Sequence, residues 1–296
     1  MREPALIRLL PDGRRLHLHD GPIDLIVEAT GSRANVAAAY EAAARRFVSI
    51  LDELCSELPL LRAQVTENPP RLTGAIAQRM FTAVNLYSSG RFITPMAAVA
   101  GSVAETVLES MLAATPLDRA YVNNGGDIAL HLSTGQSYLI GMVERPDRPS
   151  LFGACEICAD DPVRGLATSG WRGRSFSLGI ADAVTVLAKT AAGADAAATV
   201  IANAVDLPGH PAITRIPARE ISPDSDLGNL FVTRDVAPLT RGEIDSAIES
   251  GALLAESLCS HRVIHAAAIH LQGHTRVVTH SLDSSLDVSQ RSLLHA

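Results

Sequence analysis

A chain of 296 residues with 47% apolar and 19% charged residues is globular and long enough to bury one large core or two ordinary ones. Its net charge of −7, with no Lys/Arg run longer than a pair, excludes the basic footprint of a nucleic-acid binder, and 4% aromatics leave no stacking platform for single strands. The first twenty residues mix charged and apolar positions rather than forming a signal peptide's apolar run. No stretch approaches eighteen uninterrupted apolar residues, so no membrane partner is expected. Cysteines at 55, 155, 158 and 259 read as reduced thiols, and the expected location is cytoplasmic.

Three strands open the chain: Ala5–Leu10, Arg14–His19 and Ile23–Ala29, turned at Asp12-Gly13 and Asp20-Gly21. From residue 34 the period becomes helical and stays so to the residue before Pro59. Gln64–Pro70 is a polar connector, and Leu72–Tyr87 reads as a second helix. Pro95 opens a third, rich in Ala and Gly, which suits close backbone packing, close approach of a ligand, or a homo-oligomer interface. Tyr121–Leu130, YVNNGGDIAL, reads as a strand broken by a two-glycine turn and then resumed. Short strands follow at Ile128–Leu132, Tyr138–Glu144, Phe152–Cys158, Leu166–Ser169, Ser175–Leu178 and Val184–Leu187. A helix spans roughly 194–205, and the Pro/Gly-rich stretch 207–228 reads as a loop or lid. Thr240 with Glu243 three residues on predicts a capping box for the helix 239–259. Strands 263–271 and 274–279 close a single α+β domain over 1–285, with antiparallel sheets packed on helices, and 286–296 is expected to be a disordered tail.

Three segments carry chemistry. Asp195 and Thr199 lie four apart, so both oxygens share one helix face. They suit a hard cation such as Mg²⁺, which takes few protein ligands and completes its shell with water and phosphate. The same pair also suits an Ala-rich helix with a dipole-favoured Asp and a Thr bonded back to a carbonyl. Asn123-Asn124-Gly125-Gly126-Asp127 is either a plain hairpin loop or a ligand-cradling turn. Leu166–Arg174, LATSGWRGR, offers Thr168, Ser169 and the Gly170 backbone to a phosphate or ring edge, and otherwise reads as a strand-to-strand turn. Cys155 and Cys158 fall on opposite faces of a strand and read as structural thiols. His261, His265, His270, His274 and His280 do not share one parity and read as scattered.

The order of the pieces, with an Ala/Gly helix, VNNGGDI, an ATSG strand end, VTVLA and then A-D-x-x-x-T, resembles the ApbE superfamily, the FAD:protein FMN transferases. The resemblance implies an ApbE-like fold and a small phosphorylated ligand, FAD or a related nucleotide, held with Mg²⁺. It implies ligand contacts at Gly125, Gly126, Asp127, Thr168, Ser169 and Gly170, and metal ligands at Asp195 and Thr199. The family's K-G-Y-A-x-D segment stands here as Ala100-Gly101-Ser102-Val103-Ala104-Glu105, without its lysine and tyrosine. Its H-I-I-D-P-x-T-G loop is replaced by Leu178–Ala183, where Asp182 stands in for the loop acid. Asp182 and then Glu105 are the candidate general bases for cleaving or transferring the ligand. The alternative is a non-catalytic flavin- or nucleotide-binding or carrier protein that has lost the transferase residues.

Overall fold

Alternation with a period of two builds the opening sheet. In the computed structural model, which describes residues 4–66, 70–143 and 151–279, β1 (Leu6–Leu9), β2 (Leu16–Asp20) and β3 (Ile23–Thr30) pair antiparallel in succession. Ile23, Leu25, Val27 and Ala29 point inward along β3, so one face is buried and the other half-buried. β4 (Arg119–Asn124) and β5 (Asp127–Leu132) extend the meander. Their hairpin turns on Gly125 and Gly126, both at positive φ (66° and 117°), which residues with a Cβ rarely adopt. β6 (Ser137–Val143) and β7 (Leu151–Cys158) form a separate ribbon. With β8 (Gly165–Ser169), β9 (Ala183–Ala188), β12 (Ala266–Leu271) and β13 (His274–Thr279), the main sheet has nine strands, ordered β1-β2-β3-β4-β5-β8-β9-β12-β13. Antiparallel pairing and segregated helices make the class α+β, as the sequence predicts.

The chain divides into two compact units. The first runs up to residue 136 and takes back 162–167 and 188–196. Its helical run is not one helix but three: α1 (Arg33–Phe47), α2 (Ile50–Ser56) and α3 (Leu58–Leu61). The first break falls at Ser49, whose hydroxyl bonds back to the Arg46 carbonyl (3.2 Å) and competes with the helix, and Pro59 sits in the first turn of α3. α4 (Ala75–Asn85) starts later than its apolar pattern suggests. The Glu57 carboxylate accepts the Thr73 and Gly74 N–H groups (2.8 and 2.7 Å), which fixes the chain outside the helix there. A 3₁₀ turn at Pro95–Ala98 leads into α5 (Val99–Ala114). Pro95–Ala114 is long and apolar enough to cross a membrane by length and composition, with mean hydropathy 1.3. Within this unit Val103, Ala104, Val107 and Met111 bury that apolar surface against Leu25, Phe47 and Met80, as a core helix does.

The second unit holds 137–161, 168–187 and the residues from 197 on. α6 (Ala191–Ala204) runs from the first unit's share of the chain into the second's. The stretch 207–228 is not a bare loop. It contains β10 (Ile213–Pro217) and α7 (Ala218–Ile221), and β10 is paired by β11 (Phe231–Val236), a strand its flanking Pro and Gly residues conceal. Residues 175–178 form no strand. Their backbone is taken up elsewhere: the Leu178 N–H donates to Asn203 Oδ1 (2.9 Å) and the Ser177 carbonyl accepts from Thr233 (2.9 Å). α8 (Arg241–Ser260) packs on β12 (Ala266–Leu271) and β13 (His274–Thr279). The residues after 279, His280 and the 286–296 tail among them, lie outside the described residues.

α8 begins with the complete capping box: Thr240 Oγ1 accepts the Glu243 N–H, and the Glu243 carboxylate accepts the Thr240 N–H at 2.6 Å. Thr240→Ala is expected to lower stability by about 1 kcal/mol, the ordinary cost of losing an N-cap. Urea unfolding of the variant beside wild type checks it, and unchanged midpoints would show the cap to be idle.

Candidate functional site

The first unit brings Asp127, which follows its glycine turn, together with Asp195 of α6. Small residues make this approach: a Cβ on Gly101, near the start of α5, would lie 2.3 Å from the Ala191 carbonyl oxygen. That gap lets α6 enter, and the Gly101 N–H donates to Asp195 Oδ2 at 3.0 Å. Burial pushes the Asp195 carboxyl well above the usual carboxylate range, and the neighbouring Asp127 charge pushes the same way. Hydrogen bonds from the Gly101 and Ala100 N–H groups oppose both. Asn123 Oδ1 accepts the Gly126 N–H at 2.8 Å and closes the turn that carries Gly125 and Asp127. Asn124, buried beside it, donates from Nδ2 to the Ala100 carbonyl (3.2 Å) and ties the same turn to α5.

Glu105 serves another end of this arrangement. Its Oε1 accepts the Ala192 N–H at 2.9 Å, beside the Thr190 hydroxyl that caps Gly193 (3.1 Å), so it satisfies the opening turn of α6. Oε2 meets Arg79 Nε at 3.2 Å. Burial raises the Glu105 carboxyl, while the Ala192 N–H and Arg79 lower it. Thr199 lies one turn beyond Asp195 on α6, half-buried.

The remaining predicted residues fall in the second unit. Thr168 Oγ1 pairs with Thr185 Oγ1 at 2.9 Å, and Ser169 ends β8 half-buried. A Cβ on Gly170 would lie 2.4 Å from the Asp182 carbonyl oxygen, so glycine is required for the two segments to pass. Asp182 is 5% exposed, and its two oxygens receive three donors: Trp171 Nε1 (3.1 Å) and Arg172 Nε (2.7 Å) on Oδ1, and the Gln272 N–H (2.7 Å) on Oδ2. Arg79, and the parts played by Gly101, Asn124 and the Trp171–Arg172 pair, escape sequence reasoning. Only the G-W-R tripeptide after the hydroxyl-rich strand end carried a visible signal. Cys155 is buried and Cys158 exposed, as opposite strand faces require. Among the described residues no group of three or more His, Cys, Asp or Glu side chains could hold a metal ion.

The Asp195 shift has a sign that can be tested without any ligand. A carboxyl raised in the folded state holds its proton more tightly there than in the unfolded chain. Its contribution to stability is therefore full below the unfolded value, about pH 4, and is lost as pH rises through the raised folded value. In EDTA, Asp195→Asn should melt a few degrees above wild type at pH 8, and the two should converge near pH 4. A wild type as stable as the variant at pH 8 would contradict the shift.

Comparison with known proteins places this chain in a family. The UPF0280 protein of Methanothrix thermoacetophila is 40% identical over 131 residues, 44% of this chain and 52% of that relative. The UPF0280 protein of Archaeoglobus fulgidus is 38% identical over 132 residues, 45% and 51% of the two chains. The chain thus spans about half the length of the curated relatives it matches. Among solved structures, the flavin transferase ApbE from Vibrio cholerae superposes with a TM-score of 0.50 at 13% identity, covering 94% of this chain and 98% of that one, which is a likeness of fold. Residues 7–277 match the family described as AbpE bacteria, and the chain belongs to that family.

Proposed function

We propose that this chain binds a phosphorylated heterocycle, a flavin nucleotide such as FAD first among them, together with Mg²⁺ at the Asp195 carboxylate. The observation that carries the reading is the Asp195 carboxylate held against the start of α5: it accepts the Gly101 N–H at 3.0 Å, burial drives it to seek a proton or a cation, and the neighbouring Asp127 charge pushes the same way. The donor set fits Mg²⁺ better than a caged transition metal. One or two carboxylates with the Thr199 hydroxyl leave most of the shell to water and ligand phosphates, which is how this ion is usually held. When bound, the ion would neutralise charge on phosphate oxygens. Asn123, Gly125 and Gly126 form the turn that carries Asp127, and Glu105 positions α6 through the Ala192 N–H. Thr168, Ser169 and Gly170 are the second unit's candidates for ligand contact.

Two findings favour a second reading, a binding or carrier protein without transfer chemistry. Both candidate bases are engaged: Asp182 by three donors, and Glu105 by a helix N–H and an arginine. Donors already bonded to these carboxylate oxygens compete with the proton of a ligand for them. The test is calorimetric titration of FAD and FMN into the full chain with and without Mg²⁺, followed by assay of FAD conversion to AMP. Binding that requires Mg²⁺ and disappears in Asp195→Asn supports the site. Product formation selects the enzyme, and tight binding without product selects the carrier. Metal-independent binding unchanged in Asp195→Asn removes the metal assignment.

A further inference from the structure

We propose that Arg172, laid on Trp171 and anchored by Asp182, is a binding site for a phosphate-type oxyanion in the second unit. The guanidinium carbon lies 4.2 Å from the centre of the Trp171 ring. The indole Nε1–H and the Arg172 Nε–H converge on the same oxygen, Asp182 Oδ1, so one buried carboxylate fixes ring and guanidinium together. An arginine that serves only to neutralise a buried acid usually gives it two parallel N–H bonds. Here Asp182 receives Nε alone. Arg172 has no other partner among the described residues, which leaves Nη1 and Nη2, its end-on fork, on a side chain 24% exposed.

Such a fork is ready for an anion. Its rotamer entropy is already lost to the Trp stack and the Asp182 bond, so binding need not supply that ordering. Its shape suits paired oxygens. The charge favours phosphate over carboxylate: attraction to the guanidinium scales with the charge of the ligand, so a phosphate or pyrophosphate with two or more charges gains more than a carboxylate monoanion. The inference goes beyond the flavin-nucleotide reading and stands without it, because it needs neither a metal nor a heterocycle.

Trp171 is the chain's single tryptophan, so its emission reports this site directly. The full chain is titrated with inorganic pyrophosphate in EDTA at constant ionic strength, with acetate as the carboxylate control. We expect a saturable change in emission with pyrophosphate and none with acetate. Affinity should fall at least about tenfold in Arg172→Ala, and several-fold in Arg172→Lys, which keeps the charge but not the planar fork. Near-ultraviolet circular dichroism verifies that each variant is folded; if the alanine variant is not, the lysine variant decides. The site is overturned if wild type shows no saturable response, if the folded variants bind as wild type does, or if acetate competes equally. A protein that passes this titration yet binds no flavin nucleotide overturns the preceding reading and leaves this one standing.

Discussion

Gly101→Val is expected to destabilise the first unit by about 3 kcal/mol and to abolish any Mg²⁺-dependent signal at Asp195. The reason is backbone meeting backbone. A Cβ at 101 falls 2.3 Å from the Ala191 oxygen, 2.5 Å from its carbonyl carbon and 2.7 Å from the Ala192 nitrogen, and none of these can swing aside as a flexible side chain would. Overpacking a core usually costs about 1–3 kcal/mol, and a clash with another helix's main chain belongs at the upper end. For a protein of this size that loss lowers Tm by roughly 6–12 °C. Relief requires α5 and α6 to separate, which breaks the Gly101 N–H bond to Asp195 Oδ2 and draws the Ala192 N–H away from Glu105. Ala100→Val, on the neighbouring half-buried position, is the control for a β-branched residue in the helix. Thermal melts of both variants decide: a Gly101→Val midpoint within a degree of wild type would mean that the glycine is not what sets the approach.

The sequence reads well wherever a local rule fixes the structure. Asp12-Gly13, Asp20-Gly21 and Gly125-Gly126 are turn chemistry, and the strands they join are β1 to β5, in register as alternation predicts. Thr240 and Glu243 announce the start of α8 for the same reason. Failures appear where the decisive partner is distant. Glu57 stops α4 from starting earlier from sixteen residues away, and Asn203 takes the Leu178 N–H that a strand at 175–178 would need. The site divides along that line. The Asp127 turn and the Asp195 helix were legible as motifs, but their electrostatic coupling exists only once α6 has passed Gly101. Asp182 shows the limit from the other side. Nothing local in the sequence announces that Trp171, Arg172 and a backbone amide ninety residues away all donate to its carboxylate.

Those donors make Asp182→Ala the second substitution with a large expected effect, a loss of about 3–5 kcal/mol. Removing one partner of a buried ion pair leaves the other charge uncompensated, and the penalty is of that size because the charge has lost both water and counterion. Two further donors are stranded with it, the Trp171 indole N–H and the Gln272 amide. Arg172 keeps some access to solvent and recovers part of its loss there, which sets the lower end of the range. Trp171 emission should shift as the ring loses both its hydrogen bond and its fixed cation, giving a local readout beside the global one. The pair term can be separated from the burial term with Arg172→Met. In the Asp182→Ala background this second change should restore about 1–2 kcal/mol by removing the orphaned charge, whereas in wild type it should destabilise by leaving the carboxylate alone. Urea unfolding of the four proteins closes the cycle. Additive effects would mean that Asp182 and Arg172 do not act on each other, and the guanidinium would then lack the anchoring that makes it a preorganised site.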